Sequence, residues 1–283
     1  MAHHRQEFGS IQRGCEVMGL SRSTHYYRSK QPSAEAKKEA ADLRDRIEQV
    51  VVEHPRYGYR RVTHELKREG WKVNHKRVAR IMRQESLQCQ VKRRWVKTTD
   101  SDHSYRVYPN RLEGLEVVRP NQVWVADITY IRILTGFLYL AVLLDLFSRK
   151  VIGWALSERI DAELTLAALE MAVEEREPAA GCIHHSDRGV QYACHAYVEE
   201  LKAAGMMISM AGKGNPYENA VAESFIKTLK YEEVYLWDYQ TIEDVTKRIP
   251  YFLEEVYNQK RLHSALGYVT PNEYEQAWLA RVA

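Results

Sequence analysis

Asp127 interrupts an otherwise apolar and β-branched run, VWVADITYI at 123–131, and a carboxylate inside a strand is costly unless it is paired or bound to a metal. Asp187 ends the short run CIHHSD, directly before Arg188 and Gly189, and α/β sheets present functional groups at the carboxyl ends of their strands. Both aspartates can therefore point into one crevice. Glu223 lies on a helical stretch whose faces follow from a rotation of about 100° per residue. Val221, Phe225 and Leu229 share the apolar side, and Glu223, Lys227 and Lys230 lie together on the opposite side. Glu218 projects roughly with the apolar side and follows Pro216 in a turn, so Glu223 is the better third carboxylate.

Three convergent carboxylates repel one another by about 4 kcal/mol per pair at roughly 4 Å and an effective dielectric near 20. Divalent cations remove that cost. Mg²⁺ prefers a few carboxylates completed by water and phosphate oxygens. Two such ions about 3.5–4 Å apart can serve the attacking and the leaving oxygen of an in-line displacement. That is the chemistry of phosphodiester cleavage and strand transfer, and the two lysines beside Glu223 suit a phosphate backbone. Three acidic residues among 38 do not by themselves separate this reading from a strand cap, a turn cap and ordinary helix surface.

The elements around them narrow the choice. VWVADITYI (123–131), FLYLAVLLDLF (137–147) and VIGWALSE (151–158) read as strands, with connections at Thr135-Gly136 and Ser148-Arg149-Lys150 that suit antiparallel neighbours. A helix over 161–176, the strand CIHHSD, a helix through the 190s to about 204, a strand MMISM and a helix from about 219 to 231 follow. Three strands and then alternating helix and strand predict an α/β sheet covered on both faces.

The chain ahead of this region is different in charge and pattern. Residues 1–110 carry 24 Lys+Arg against 13 Asp+Glu, whereas 111–283 carry 17 against 25. A basic front half suits a polyanion. Residues 11–29 read as helix, turn, helix, with a break at Gly19 and Ser21 as an N-cap; a plain helical hairpin has the same pattern. From about 36 to 84 the pattern is helical again, with Val62, Leu66, Val78, Ile81 and Met82 spaced to build a small core. Tyr57-Gly58-Tyr59-Arg60-Arg61 joins aromatic and guanidinium groups, and Lys76, Arg77, Arg80 and Arg83 share a face. A DNA-facing helix needs such a stripe; solvated surface is the other use. Residues 90–118 turn polar and lose periodicity, as a linker does. The domains expected are thus a helix-turn-helix-like segment at 1–35, a basic helical DNA-binding domain at 36–89, the linker, and a catalytic domain at 119–277.

With 45% hydrophobic residues over 283, the chain can build a real core, which excludes general disorder. No run of about 18 uncharged apolar residues and no apolar signal region appears, so a cytosolic location is expected. Cys15, Cys89, Cys182 and Cys194 lack paired spacing, and reduced thiols are expected.

In order, WVADITYI, LLDLFSRKVIGW, HHSDRGVQY, GNPYENAVAESFIKTLKYE and YNQKRLHSALGYVTPNEYE resemble the insertion-sequence transposases of the IS-three group and their retroviral-integrase-like catalytic core. The 35 residues between Asp187 and Glu223 fit that family's Asp, Asp, 35, Glu pattern, and Lys230 fits its basic position seven residues after the glutamate. HPRYGYRRVTHELKREGWKVNHKRVARIM is similar to the helix-turn-helix module ahead of that core. The resemblance implies an RNase H-like mixed sheet with flanking helices, preceded by a small all-α helix-turn-helix region. It implies Mg²⁺ or Mn²⁺, two per site, held by Asp127, Asp187 and Glu223, and 3′-hydroxyl attack on a phosphodiester. Double-stranded DNA, as element terminal repeats and target, is the partner expected, contacted by Lys230, Lys227, Arg188, Arg60, Arg61, Lys76, Arg77 and Arg80. Pairing two DNA ends implies a homo-oligomer on DNA. In that family an upstream-frame product bearing a coiled coil is commonly joined to the catalytic half, and this chain has no sustained leucine heptad; such a product is therefore a candidate partner.

Two other functions remain open at this point: a related nuclease without strand transfer, which the HSALGYVTP tail disfavours, and a DNA-binding regulator with a dead fold, which the intact carboxylates disfavour. Asp145, within an apolar strand, could serve an accessory metal role, but a structural role, pairing Arg149 or buttressing the site, is favoured. Zinc at His184, His185, Cys182, Cys194 and His195 is disfavoured by alternation, which puts the first two on opposite faces, and by the lack of ligand spacing. His185 is instead a substrate or supporting contact near Asp187. Trp124, Trp154 and Tyr192 could stack on bases, although core packing is the commoner use. Asn215, Pro216, Tyr217 and Asn219 form a turn that either anchors the Glu223 helix or positions DNA.

Overall fold

The computed structural model describes residues 10–26, 33–89, 105–134, 136–212, 219–237 and 239–282. The chain divides into two compact units, Met1–Gln49 and Val50–Ala283.

In the first unit, helix α1 (Ile11–Val17) starts at Ser10, whose hydroxyl accepts from the Arg13 amide. This satisfies one of the orphan donors of a first turn. Gly19 takes φ 62° in the turn that follows, a conformation that only glycine adopts freely, and α2 (Arg22–Tyr26) comes next. Helix α3 (Ala34–Glu53) crosses the boundary into the second unit.

There Pro55 ends the helical run, and α4 (Tyr59–Arg68) and α5 (His75–Gln84) form a pair with Val62, Leu66, Val78 and Met82 buried. Asn74 caps α5 through the Lys76 amide. Of the five apolar residues expected inside a three-helix core, four are buried in this pair and Ile81 is half-buried, and Lys76, Arg80 and Arg83 are left on the exposed side.

The second unit also holds a five-stranded mixed sheet of order β3-β2-β1-β4-β5. The strands are β1 (Val123–Ile133), β2 (Gly136–Asp145), β3 (Val151–Ser157), β4 (Ile183–Ser186) and β5 (Met207–Met210). The first three pair antiparallel, and β4 and β5 join parallel. Parallel pairing requires crossovers, supplied by α6 (Ala162–Arg176) and then by α7 (Val190–Ala193) with α8 (His195–Ala203). The single helix expected through the 190s is therefore two, because Cys194 is extended (φ −66°, ψ 152°).

Alternation along β1 sends its residues into two cores. Val123, Val125, Ile131 and Ile133 pack with Phe225, Leu229, Val245 and Ile249, while Trp124 and Ala126 pack with Leu164, Ala168, Tyr197 and Leu201. Gly153 lets α6 lie directly on β3: a Cβ there would overlap the Ala168 carbonyl oxygen and come 2.7 Å from the Ala172 Cβ. The first core is closed by α9 (Ala220–Leu229), which runs on as a wide π turn (Lys230–Val234), and by α10 (Ile242–Tyr251) with its π continuation (Phe252–Lys260). A short 3₁₀ turn (Ser264–Leu266) and α11 (Pro271–Val282) complete the chain.

Residues 105–118 have no regular structure, yet they are fastened to the sheet. The Arg111 amide donates to Ser209 Oγ (2.9 Å), its Nε donates to the Ile208 carbonyl (3.3 Å), and Leu112 and Val117 pack against the first core. No helix among the described residues is long and apolar enough to cross a membrane.

Candidate active site

Strand register brings the two aspartates together. Strands β1 and β4 pair parallel with Val125 beside His185. Asp187 lies just past the end of β4 at Ser186, where its charge acts on Asp127 and both residues line one cleft; the even step along β1 keeps Asp127 on the face of Val125. For β1 that is the face carrying Val123 and Val125, which α9 covers.

Helix α9 is tied to β1 at both ends. Asn219, buried at its start, donates from Nδ2 to the Ala126 carbonyl (3.3 Å), next to Asp127. At its far end the Lys230 ammonium sits 4.1 Å from the centre of the Tyr130 ring. Ala222, Phe225 and Leu229 form the buried face, and Glu223 and Lys227 are exposed. The anchoring role of Asn219 is thus visible; Asn215, Pro216, Tyr217 and Glu218 lie outside the described residues.

The electrostatics single out Asp127. Burial pushes the Asp127 carboxyl up to about 8, Asp187 and then Glu223 push the same way, and among the described residues the Ile128 amide and Lys230 pull it down. The Ile128 amide donates to Asp127 Oδ1 at 2.8 Å. Asp187 Oδ1 accepts from the Gly189 amide (2.8 Å), and a side chain at Gly189 would stand 3.0 Å from that same oxygen. Burial lowers the pKa of Lys230, and Asp127 opposes that shift.

A cleft of about 200 Å³ opens beside the aspartates, walled by Tyr130, Tyr139, Val190 and Tyr192 among others. Tyr192 is buried, and burial, then Tyr197, Asp127 and Asp187, hold its phenol well above the usual range. Its hydroxyl has no hydrogen-bond partner among the described residues.

Can the site take a divalent cation? The donors are hard carboxylate oxygens, two of them mutually repelling, which is the chemistry such an ion satisfies. Among the described residues no group of three or more His, Cys, Asp or Glu is drawn close enough to hold a metal ion. Asp127, Asp187 and Glu223 are thus not gathered into such a group, although the charges of Asp187 and Glu223 both act on Asp127.

The remaining residues singled out from sequence take varied places. Arg188 donates from Nε to the Ala211 carbonyl at 2.8 Å. Arg60 is exposed, with its guanidinium 5.7 Å from the Tyr59 ring centre. Arg61 is partly buried and paired with Glu232 at 3.2 Å. Lys76 and Arg80 are exposed and Arg77 is half-buried.

Asp145 is fully buried and accepts from the Asn121, Phe147 and Ser148 amides. Its cationic neighbour is Arg176 at 3.9 Å rather than Arg149, because Arg149 enters the turn through its backbone, its amide donating to the Asp145 carbonyl. His184 and His185 do alternate: His184 Nε2 lies 2.9 Å from the Tyr197 hydroxyl and His185 Nδ1 lies 2.8 Å from Ser209 Oγ. Trp124 is wholly buried, Trp154 donates to Glu254, and Tyr192 packs edge-on against Tyr197.

Sequence reasoning did not single out Tyr130 and Tyr139, although Tyr130 lies three residues from Asp127 and is opposite Tyr139 in the β1–β2 register. Their only signal was aromatic character in strands flanking a polar interruption.

The integrase core domain family model matches residues 117–216, a second integrase core model matches 204–271, and an HTH-like domain matches 38–95. The insertion element IS600 uncharacterized 31 kDa protein of Shigella sonnei is 38% identical over 93% of this chain and 98% of its own length. The transposase for insertion sequence element IS904 of Lactococcus lactis is 38% identical, covering 83% and 93%. The transposase InsF for insertion sequence IS3A of Escherichia coli is 35% identical over 98% and 97%. Among solved structures, a simian T-cell lymphotropic virus intasome bound to a PP2A regulatory subunit aligns over 77% of this chain and 70% of that chain, with 15% identity and TM-score 0.48. With relatives at this identity spanning nearly their whole length, the chain belongs to the insertion-sequence transposases of the IS-three group.

Proposed function

We propose that this chain cuts and joins the DNA ends of an insertion sequence, with Asp127, Asp187 and Glu223 as the catalytic carboxylates. The observation that carries this reading is one cleft lined by Asp127 on β1 and by Asp187 just past the end of β4, where burial pushes the Asp127 carboxyl up to about 8 and the charges of Asp187 and Glu223 add to it. A fold maintains such repulsion at a cost to its stability, and function is the usual reason for keeping it.

Asp127, Asp187 and Glu223 are the residues that would hold Mg²⁺ or Mn²⁺, two ions in the full site. Bound there, divalent ions would supply charge neutralisation and activation of the attacking oxygen. The chain's own groups do the rest. Asn219 fixes the start of the Glu223 helix against β1, and the Asx turn at Gly189 holds the Asp187 carboxylate. Lys230, on the Tyr130 ring, brings a cation to the phosphate that approaches Asp127. Lys227 and Arg188 extend that positive edge, and Arg60, Lys76, Arg77 and Arg80 of the helical module add sequence-independent phosphate contacts.

In this reading residues 1–35 and 36–89 are DNA-binding helical segments, 90–118 connect them, and 119–277 do the chemistry. Both element ends must be held together, so a homo-oligomer forms on DNA, and an upstream-frame product is a candidate partner.

The test is incubation with labelled DNA carrying the element's ends, in Mg²⁺ or in EDTA, with wild type and Glu223→Gln. Metal-dependent nicking and joining, absent in Glu223→Gln while DNA binding persists, is the expected result. Equal cleavage by the variant would overturn the assignment.

A further inference from the structure

The basic helical module is fastened to the C-terminal part of the chain by contacts that neither DNA nor the catalytic carboxylates require. Arg68 forms a two-pronged ion pair with Glu273, one arm at 3.0 Å. The His64 ring stacks on Tyr268, with centroids 3.7 Å apart and planes within 7°. The Leu262 amide donates to the buried Tyr57 hydroxyl at 2.8 Å.

At the middle of this interface is Glu232, nine residues beyond Glu223 on the same continuous helical run. Its carboxylate receives both arms of Arg261, Nε at 2.6 Å and Nη2 at 2.7 Å, and also Nη1 of Arg61 at 3.2 Å. Arg261 is buried and also reaches Thr228 Oγ1 on α9 (3.4 Å). Its guanidinium lies over Tyr257, whose ring meets Phe225 edge-on at 4.9 Å. Phe225 is the inward residue two positions after Glu223. A bidentate, buried guanidinium–carboxylate pair is geometrically strict. The module, through Arg61, therefore shares one carboxylate with the brace that holds the Glu223 helix.

We propose that Glu232 is a positioning residue that registers the DNA-binding module against the Glu223 helix through Arg61 and Arg261. DNA held by the module then meets the carboxylates at one fixed phosphate. This rests on the transposase reading above and adds to it a mechanism for choosing the cut position. Arg61 acts in this account as a protein–protein tether, and its removal changes where and how fast the strand is cut more than how tightly DNA binds.

The experiment compares wild type, Arg61→Ala, Arg61→Lys and Glu223→Gln as full-length proteins on end-labelled element-end DNA. It reads melting temperature, DNA affinity, rate and the position of the nick. Arg61→Ala should bind DNA within about threefold of wild type, as loss of one partly exposed pair implies. It should cut about tenfold or more slowly, since misplacements near 1 Å cost up to about 10²-fold, and its nicks should spread over neighbouring phosphates. Arg61→Lys keeps the charge and should restore the single position and part of the rate.

Loss of affinity with the nick unmoved would make Arg61 a DNA contact and overturn the proposal. A lowered melting temperature with an unmoved nick and unchanged rate would reduce Glu232 to a structural role and overturn it as well. If wild type does not cut even with the upstream-frame product added, the transposase reading fails separately. Hydrogen exchange then decides the tether: amides over 220–234 should exchange faster in Arg61→Ala, and unchanged exchange would sink it.

Discussion

Two aspartates on neighbouring strands of one sheet meet opposite fates. Asp145 ends β2 opposite Trp124, and Asp127 lies three residues along β1. Burial pushes both carboxyls up, but the causes that follow differ. For Asp145 the next are the Asn121 and Ser148 amides, which pull it back, with Arg176 helping and Glu275 opposing. For Asp127 the next cause is Asp187, which pushes the same way as burial. Arg176 also carries Glu275 of α11 in a bidentate pair at 2.8 Å, so the Asp145 end of the sheet is a closed knot of charges. The lesson is that a buried acid does not by itself mark chemistry. The acid whose neighbouring charges are other acids, as Asp187 and Glu223 are for Asp127, is the better candidate.

Breaking the satisfied end should have the largest effect on folding. Asp145→Ala removes a carboxylate that answers three amides and Arg176, and losing one partner of a buried ionic network costs about 3–5 kcal/mol. Urea unfolding should show the loss, and a change below about 1 kcal/mol would contradict the closed-knot description.

Breaking the unsatisfied end should do the reverse. With a folded value of about 8 against an ordinary 3.8, the fold binds more protons than the unfolded chain between those limits. Stability therefore falls as pH rises through that window. Asp127→Asn should accordingly melt higher than wild type at pH 8 without divalent cations. About 2–4 °C accompanies each kcal/mol in a chain of this size, and the gain should vanish near pH 4.

Smaller effects sharpen the same contrast. Gly189→Ala would press a methyl on the Asp187 carboxylate, and cleavage should fall about tenfold with the melting temperature nearly unchanged. Lys227→Ala, at an exposed position, should weaken element-end binding modestly and reduce the slope of log affinity against log salt by about 1.

Much of this was legible from residue order. Asp127 broke an apolar and β-branched run, and Glu223 lay opposite Phe225 and Leu229 by helical rotation alone. What was not legible depends on distant partners. Arg61 reads as one more base in a basic stretch; its pairing with Glu232 spans 171 residues, and Arg68 reaches Glu273 across 205. Similarly, Arg149 looked like the partner of Asp145 because it is near in sequence, whereas Arg176 arrives from α6. Local pattern also hid the C-terminal helices: Pro250 lies inside α10, where proline would ordinarily signal a stop. Strand β2 ends at Asp145 rather than 147 because the Phe147 and Ser148 amides turn back to the Asp145 carboxylate.

The central claim is that Asp127, with its acidic neighbours, holds a divalent cation. Thermal melting of wild type and Asp127→Asn at pH 8 with increasing Mn²⁺ tests it without any knowledge of the DNA sequence. The account predicts that Mn²⁺ raises the melting temperature of wild type by several degrees, as binding to the folded state alone requires, and leaves Asp127→Asn nearly unmoved. Equal shifts in both proteins, or none in wild type, would contradict it.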